Sequence, residues 1–275
     1  MDVALTASRW RPRVSGAMRG WTGLYRTSME LGFRYLTHHG YLREAVIRVV
    51  VPLDPSRYLE LPETMRELGA QAGERVLDLA SPKLLAVQLA RAGVEVVSVD
   101  QLEPEIESWR KLTAGEPRLT LQIGDGRELP FEDASFEHAY SVSVLEHIPE
   151  SGDEQALREL ARVTKPGGRV VVTLPHAAVY REDWREAPVY ADQGGASGRH
   201  FFQRWYNRAR VDRLAAAAPQ LELVSSSVSR MEPNLNDLYT RTFPLLVPLG
   251  PFFGLLARRV EGPGGDVVRL TFRRR

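Results

Sequence analysis

From about residue 74 onward the chain alternates short apolar runs with helical stretches, and no other feature limits its fold so tightly. "RVLDLA", "EVVSVD", "LTLQIGD", "FEHAYSVS" and "GRVVVTLP" predict strands, while "KLLAVQLARAG", "LEPEIESWRKL" and "DEQALRELARV" predict the helices between them. Such a succession closes through right-handed crossovers, which predicts a parallel sheet with helices on both faces. "LELVSSSVSR" and "GDVVRLTFRRR" add a sixth and a seventh strand, and "FFQRWYNRARVDRLAAAAP" reads as a further helix. Sheets of this kind collect ligands at the C-terminal ends of the strands, near the switch in strand order. Function is therefore sought at Asp78–Lys83, Asp100, Asp125, Ser141–His147 and Pro175–Tyr180.

Before the alternation begins, residues 1–70 read as a helical cap on a 71–275 sheet domain. Tyr41, Leu42, Ala45, Val46 and Val49 share one helical face; Pro52 breaks that helix, and Asp54-Pro55 and Pro62-Glu63 restart it. An apolar insertion at about 231–264 separates the last two strands. Its core, "FPLLVPLGPFFGLLA" at 243–257, carries three prolines and falls short of the about 20 residues of a spanning helix, so no transmembrane span is expected. With Arg241, Arg258 and Arg259 beside it, this segment reads either as a peripheral contact with a membrane interface or as an apolar lid packed on the cap.

Charge and cysteine usage exclude several classes. A net charge of +1 offers no basic face for nucleic acid, and none is expected as a partner. Without cysteine there is no disulfide framework, thiolate metal site or cysteine nucleophile, and no metal ligand set stands out. The composition fits a cytoplasmic protein, with membrane association through 243–257 as the exception to test. The arginines of "MDVALTASRWRPRVSGAMRG" suit a basic amphipathic first helix or an organellar transit segment, and the stretch lacks the apolar core of a secretory signal.

The order of "VLDL", "VVSVD", "GDGRELPFEDASFEHAYSVSVLEHI" and "LARVTKPGGRVVVTLP" resembles class I S-adenosylmethionine-dependent methyltransferases of the type 11-like group, over residues 70 to 175. The resemblance implies a Rossmann-like, seven-stranded, mostly parallel sheet with S-adenosylmethionine as cofactor. It implies that Asp100 receives the ribose hydroxyls, that Asp125 and Gly126 sit beside the adenine, and that Ser141 and Leu145 line the rest of the cofactor. Asp78, Ala80, Ser81, Lys83 and Gln101 complete the expected cofactor contacts. The residues alone also admit plainer readings: Asp100 as a cap of the next helix, and Asp125-Gly126 as an ordinary turn.

Where the family reads Asp-x-Gly-x-Gly-x-Gly, Ala80, Pro82 and Leu84 stand at the glycine places. Ser81 suits an N-cap and Pro82 a first helical residue, so the turn can start its helix directly. Lys83 opposes the macrodipole there, and it reads either as a partner for the cofactor's methionyl carboxylate or an acidic substrate group, or as an exposed lysine. His176, directly after the fifth strand, and His147 are the candidate catalytic bases, beside structural readings for both. "RHFFQRWY" offers aromatic and cationic groups for a small-molecule or lipid-like acceptor, methylated at oxygen or nitrogen. The alternative is a methyltransferase fold that does not methylate; a nicotinamide enzyme is disfavoured by the absence of G-x-G-x-x-G.

Overall fold

The computed structural model describes residues 14–38, 57–188, 198–230, 258–259 and 267–275. Two helices precede the sheet: α1 (Val14–His38) and α2 (Arg57–Leu68). α2 runs through Pro62 rather than restarting there. The face built from Tyr41 to Val49, the break at Pro52, and the 243–257 run lie outside the described residues.

The sheet then forms as the alternation predicts: β1 (Arg75–Leu79), α3 (Lys83–Arg91), β2 (Glu95–Asp100), α4 (Glu103–Leu112), β3 (Leu119–Ile123), β4 (His138–Val142), α5 (Gly152–Val163) and β5 (Arg169–Pro175). After β5 come β6 (Arg181–Arg185), β7 (His200–Trp205), α6 (Arg208–Ala216), β8 (Leu221–Arg230), the two-residue β9 (Arg258–Arg259) and β10 (Val267–Arg274). The main sheet has the order β3-β2-β1-β4-β5-β10-β8-β9. β1 to β5 are parallel; β10 is antiparallel to both β5 and β8. Seven long strands thus make the mostly parallel Rossmann-like sheet, with β9 as a short addition at its edge.

Alternation along each strand divides the core between two faces. Val76, Tyr140 and Val171 pack with α1, α2, α3 and α4, whereas Leu77, Ala139, Val170, Val172 and Leu174 pack with α5 and α6. Just before β5, Gly168 lies so close to the start of β4 that a Cβ there would fall 2.1 Å from the Glu137 carbonyl oxygen. The Pro-Gly-Gly turn into β5 is therefore required by a close approach of backbone, as well as by turn chemistry.

One segment departs from its expected structure. "FFQRWY" is strand rather than helix: β7 pairs antiparallel with β6 in a separate ribbon, and the helix begins only at Arg208. Aromatic side chains suit a pleated, half-buried surface. Asn207 starts the helix by accepting a hydrogen bond from the Arg210 backbone N–H at 2.9 Å.

Candidate functional site

β2 and β3 lie on one side of β1, β4 and β5 on the other, so the chain reverses its direction of sheet growth between β1 and β4. A cavity of about 200 Å³ opens at that point, lined by the residues that leave the four strands. Leu79 and Ala80 come from β1; Asp100, Gln101 and Leu102 from β2; Gly124, Asp125 and Gly126 from β3; and Ser143, Val144, His147 and Ile148 from β4. Six of the residues expected at the site meet there: Ala80, Asp100, Gln101, Asp125, Gly126 and His147.

The glycine-poor turn reaches this place by a different local route from the one the sequence suggested. Ala80 adopts φ +51°, the left-handed backbone that glycine takes without strain, while its N–H donates to the Val99 carbonyl at 2.8 Å. Helix α3 starts at Lys83, with Pro82 as its N-cap and no side-chain cap. Ser81 is not the capping residue. Its hydroxyl accepts from the Val142 N–H at 2.9 Å and faces the Leu79 carbonyl at 3.3 Å, so it stitches β1 to β4 instead.

Beneath the turn lies a buried charged group. The Lys83 side chain is 2% exposed, and its Nζ donates to Asp100 Oδ2 at 3.0 Å and to the Ser81 carbonyl at 3.1 Å. Asp78 Oδ2 is 3.9 Å from the same ammonium. Lys83 is therefore not an exposed lysine, and it is not among the residues lining the cavity. Asp78 accepts from Ser98 Oγ at 2.6 Å and from the Ser81 N–H at 3.1 Å. Burial raises its carboxyl above the ordinary 3.8, against the opposing pull of Lys83 and Ser98. Asp100 also accepts from the Leu102 N–H at 3.1 Å; Leu102 is the N-cap of α4 and no side chain caps that helix, so Asp100 is not its cap.

At the adenine-side position of the resemblance, the Arg127 guanidinium donates to both oxygens of Asp125 and holds its carboxyl below the ordinary value. Gly126 is packed so closely that a Cβ would meet Leu79 Cδ1 at 2.8 Å. Substituting either residue would thus alter the wall of the cavity itself.

The part of the lining that follows β4 carries the histidine. His147 Nδ1 lies 2.7 Å from the Phe202 carbonyl oxygen, with the two rings 5.2 Å apart. A carbonyl only accepts, so Nδ1 carries the proton and Nε2, 3.7 Å from Glu146 Oε1, is the basic position. Burial lowers the His147 pKa below its ordinary 6.5. Next to it, Glu146 is 2% exposed; its Oε2 has no hydrogen-bond partner among the described residues, and burial pushes its carboxyl up to about 8. Buried Arg204 of β7 donates to the Ile148 and Glu150 carbonyls, which ties the ribbon to this wall.

Other expected residues lie away from the cavity lining. Ser141 and Leu145 are both fully buried, the former 3.2 Å from the Leu79 carbonyl and the latter in the core. His176 is 6% exposed and bridges to Tyr206, the residue following β7. Sequence reasoning missed Glu60 of α2, whose Oε1 accepts from Ser143 Oγ at 2.9 Å and from Thr173 Oγ1 at 3.0 Å. It also missed the Phe202 carbonyl, since a backbone acceptor has no signature in the sequence.

The sheet order and the position of the cavity define the fold of class I S-adenosylmethionine-dependent methyltransferases, and residues 77–172 match the family described as a methyltransferase domain. Among curated relatives, a demethylmenaquinone methyltransferase of Clavibacter sepedonicus is 38% identical over 110 residues, which is 40% of this chain and 44% of that protein. The chain thus spans less than half the length of this relative. Among solved structures, the [4+2]-cyclase SpnF aligns with a TM-score of 0.52 at 18% identity, over 78% of this chain and 79% of that one. The glycopeptide N-methyltransferase MtfA, solved with sinefungin, aligns with a TM-score of 0.51 at 15% identity, over 79% of this chain and 86% of that one. Among the described residues, no helix is long and apolar enough to cross a membrane.

Proposed function

We propose that this chain is an S-adenosylmethionine-dependent methyltransferase whose acceptor is a small or lipid-like molecule, methylated at oxygen or nitrogen. The observation that carries this reading is the cavity at the switch point, where Asp100 of β2, Gly126 of the β3 turn and His147 surround one space. Its volume is below the about 300–1,000 Å³ of sites that enclose a drug-sized ligand whole. It suits the nucleoside part of the cofactor, with the rest at the mouth. Asp100 supplies acceptors for a ribose diol, and Gly124 and Gly126 allow a flat base to approach the backbone. When bound, the cofactor supplies an already activated methyl group.

The chain's own residues would orient the acceptor and hold its proton. Alignment of reacting atoms can supply about 7–11 kcal/mol, so positioning is the main requirement. His147 is the residue best suited to take a proton: its tautomer leaves Nε2 unprotonated, and its lowered pKa favours the neutral ring at pH 7. His176 lies off the cavity lining and has less support in that role. The apolar side chains of Leu102, Val144 and Ile148 support an acceptor with a flat or lipid-like body, in keeping with the names of the demethylmenaquinone methyltransferase relatives.

A second reading, the same fold used without methyl transfer, draws on Pro82 and Leu84 at the glycine places and on a cyclase having this fold. Calorimetric titration with S-adenosylmethionine and S-adenosylhomocysteine separates the two, with Asp100→Ala as control. Micromolar binding that the substitution weakens, followed by label transfer to a panel of phenols, quinols and amines, supports the methyltransferase. Absence of binding to the folded protein leaves the second reading standing.

A further inference from the structure

Lysine is scarce in this chain: of 36 Lys and Arg residues, only Lys83, Lys111 and Lys165 are lysines. Lys111 and Lys165 are exposed, whereas Lys83 is buried below the cavity turn. Its ammonium lies within 3.9 Å of three converging oxygens, Asp100 Oδ2, the Ser81 carbonyl and Asp78 Oδ2, which suits a compact cation better than a planar guanidinium. Stability alone is a poor explanation, because a buried pair often does no better than apolar residues of similar volume, and a cation in the first turn of a helix is unfavourable. The carboxylate it holds is the one at the cavity wall.

We infer that Lys83 is a positioning residue that fixes the Asp100 carboxylate from below to receive the vicinal diol of a ribose, acting where loop glycines are missing. Asp100 Oδ1 is held by the Leu102 N–H and Oδ2 by Lys83 Nζ. Each carboxylate oxygen offers about two acceptor sites, so one on each remains for the two hydroxyls. Without Lys83, rotation about the last side-chain bond is broad, and the pair of acceptors loses its orientation. The inference rests on the cofactor reading above; it differs from a direct contact between Lys83 and the ligand, because the ammonium is already engaged by protein oxygens.

The test is calorimetric titration of the full chain with S-adenosylhomocysteine and with its 2′,3′-dideoxyribose analogue. Wild type is expected to prefer the ribose form by about tenfold or more, the scale of one hydrogen bond to a charged group. In Lys83→Met, affinity for the ribose ligand falls to that of the dideoxy analogue, while affinity for the analogue changes little. A Lys83 with a merely structural role would weaken both ligands alike, and an unchanged preference in the variant overturns the inference while leaving the cofactor reading intact. Failure of wild type to bind either ligand overturns both. A measurement on wild type does not depend on how the variant folds: in ¹⁵N-lysine-labelled protein, the buried Nζ signal should shift more with the ribose ligand than with the analogue. Equal shifts, or none, would overturn the inference as well.

Discussion

Glu146 beside the histidine offers the most direct test of the electrostatics at this site. Its carboxyl, 2% exposed, moves from an ordinary 4.5 to about 8, chiefly through burial and then through the nearby Glu60 charge, against the pull of Arg57 and Arg204. Between those values the folded protein keeps a proton that the unfolded chain releases. The group's contribution is therefore fully present below about pH 4.5 and lost as pH rises to about 8. At ~1.36 kcal/mol per pH unit the ceiling is ~5 kcal/mol, and water penetration reduces it to about 2–5 kcal/mol. Glu146→Gln has nearly the same shape and cannot ionise. Urea unfolding of both proteins between about pH 5 and 8.5 isolates the effect, because other titrating groups, including His138 and Asp78, are common to both. The variant should gain about 2–4 kcal/mol relative to wild type across that window. A stability difference independent of pH would refute the reasoning and place an ionised carboxylate in the folded protein.

Other expectations follow from single contacts. Arg210→Met leaves Asp153, fully buried and paired with Arg210 at 2.7 Å, without its main cation, and should cost about 3–5 kcal/mol in urea unfolding. Gly168→Ala forces a Cβ against the Glu137 carbonyl and should cost about 3 kcal/mol or more by the same assay. Gly126→Ala drives a methyl group toward the movable end of Leu79; it should weaken S-adenosylhomocysteine binding in calorimetry while the unfolding midpoint changes little. For an acceptor that must lose a proton, His147→Asn should lower turnover by about 10²–10⁴-fold. It should also remove a rise in rate with pH whose midpoint lies below 6.5, the direction in which burial moves this ring. A turnover profile unaltered by the substitution would exclude His147 as the base.

Much of the fold could be read from periodicity. The five parallel strands and their helices follow from apolar runs whose spacing is set locally by backbone geometry, and the acids at the ends of β2 and β3 were legible because strand ends are. The ribbon was not: "FFQRWY" satisfies helix and strand about equally in isolation, and its pairing with β6, interrupted by a register shift between Asp183 and Trp184, settles the matter. The role of Ser81 was misread for a related reason. Its residue type suits a cap, but the Val142 N–H, 61 residues away, takes the hydroxyl oxygen.

The sequence by itself therefore determined the order of elements, the two-faced core and the neighbourhood in which a ligand would sit, because each depends on patterns repeated within a few residues. Only the tertiary structure decided that Lys83 holds Asp100, that the Phe202 carbonyl sets the His147 tautomer, and that Glu60 of α2 binds Ser143 and Thr173. Those partners lie 17 to 113 residues apart. Burial requires such polar groups to find hydrogen bonds, but the path of the folded chain chooses which ones they find.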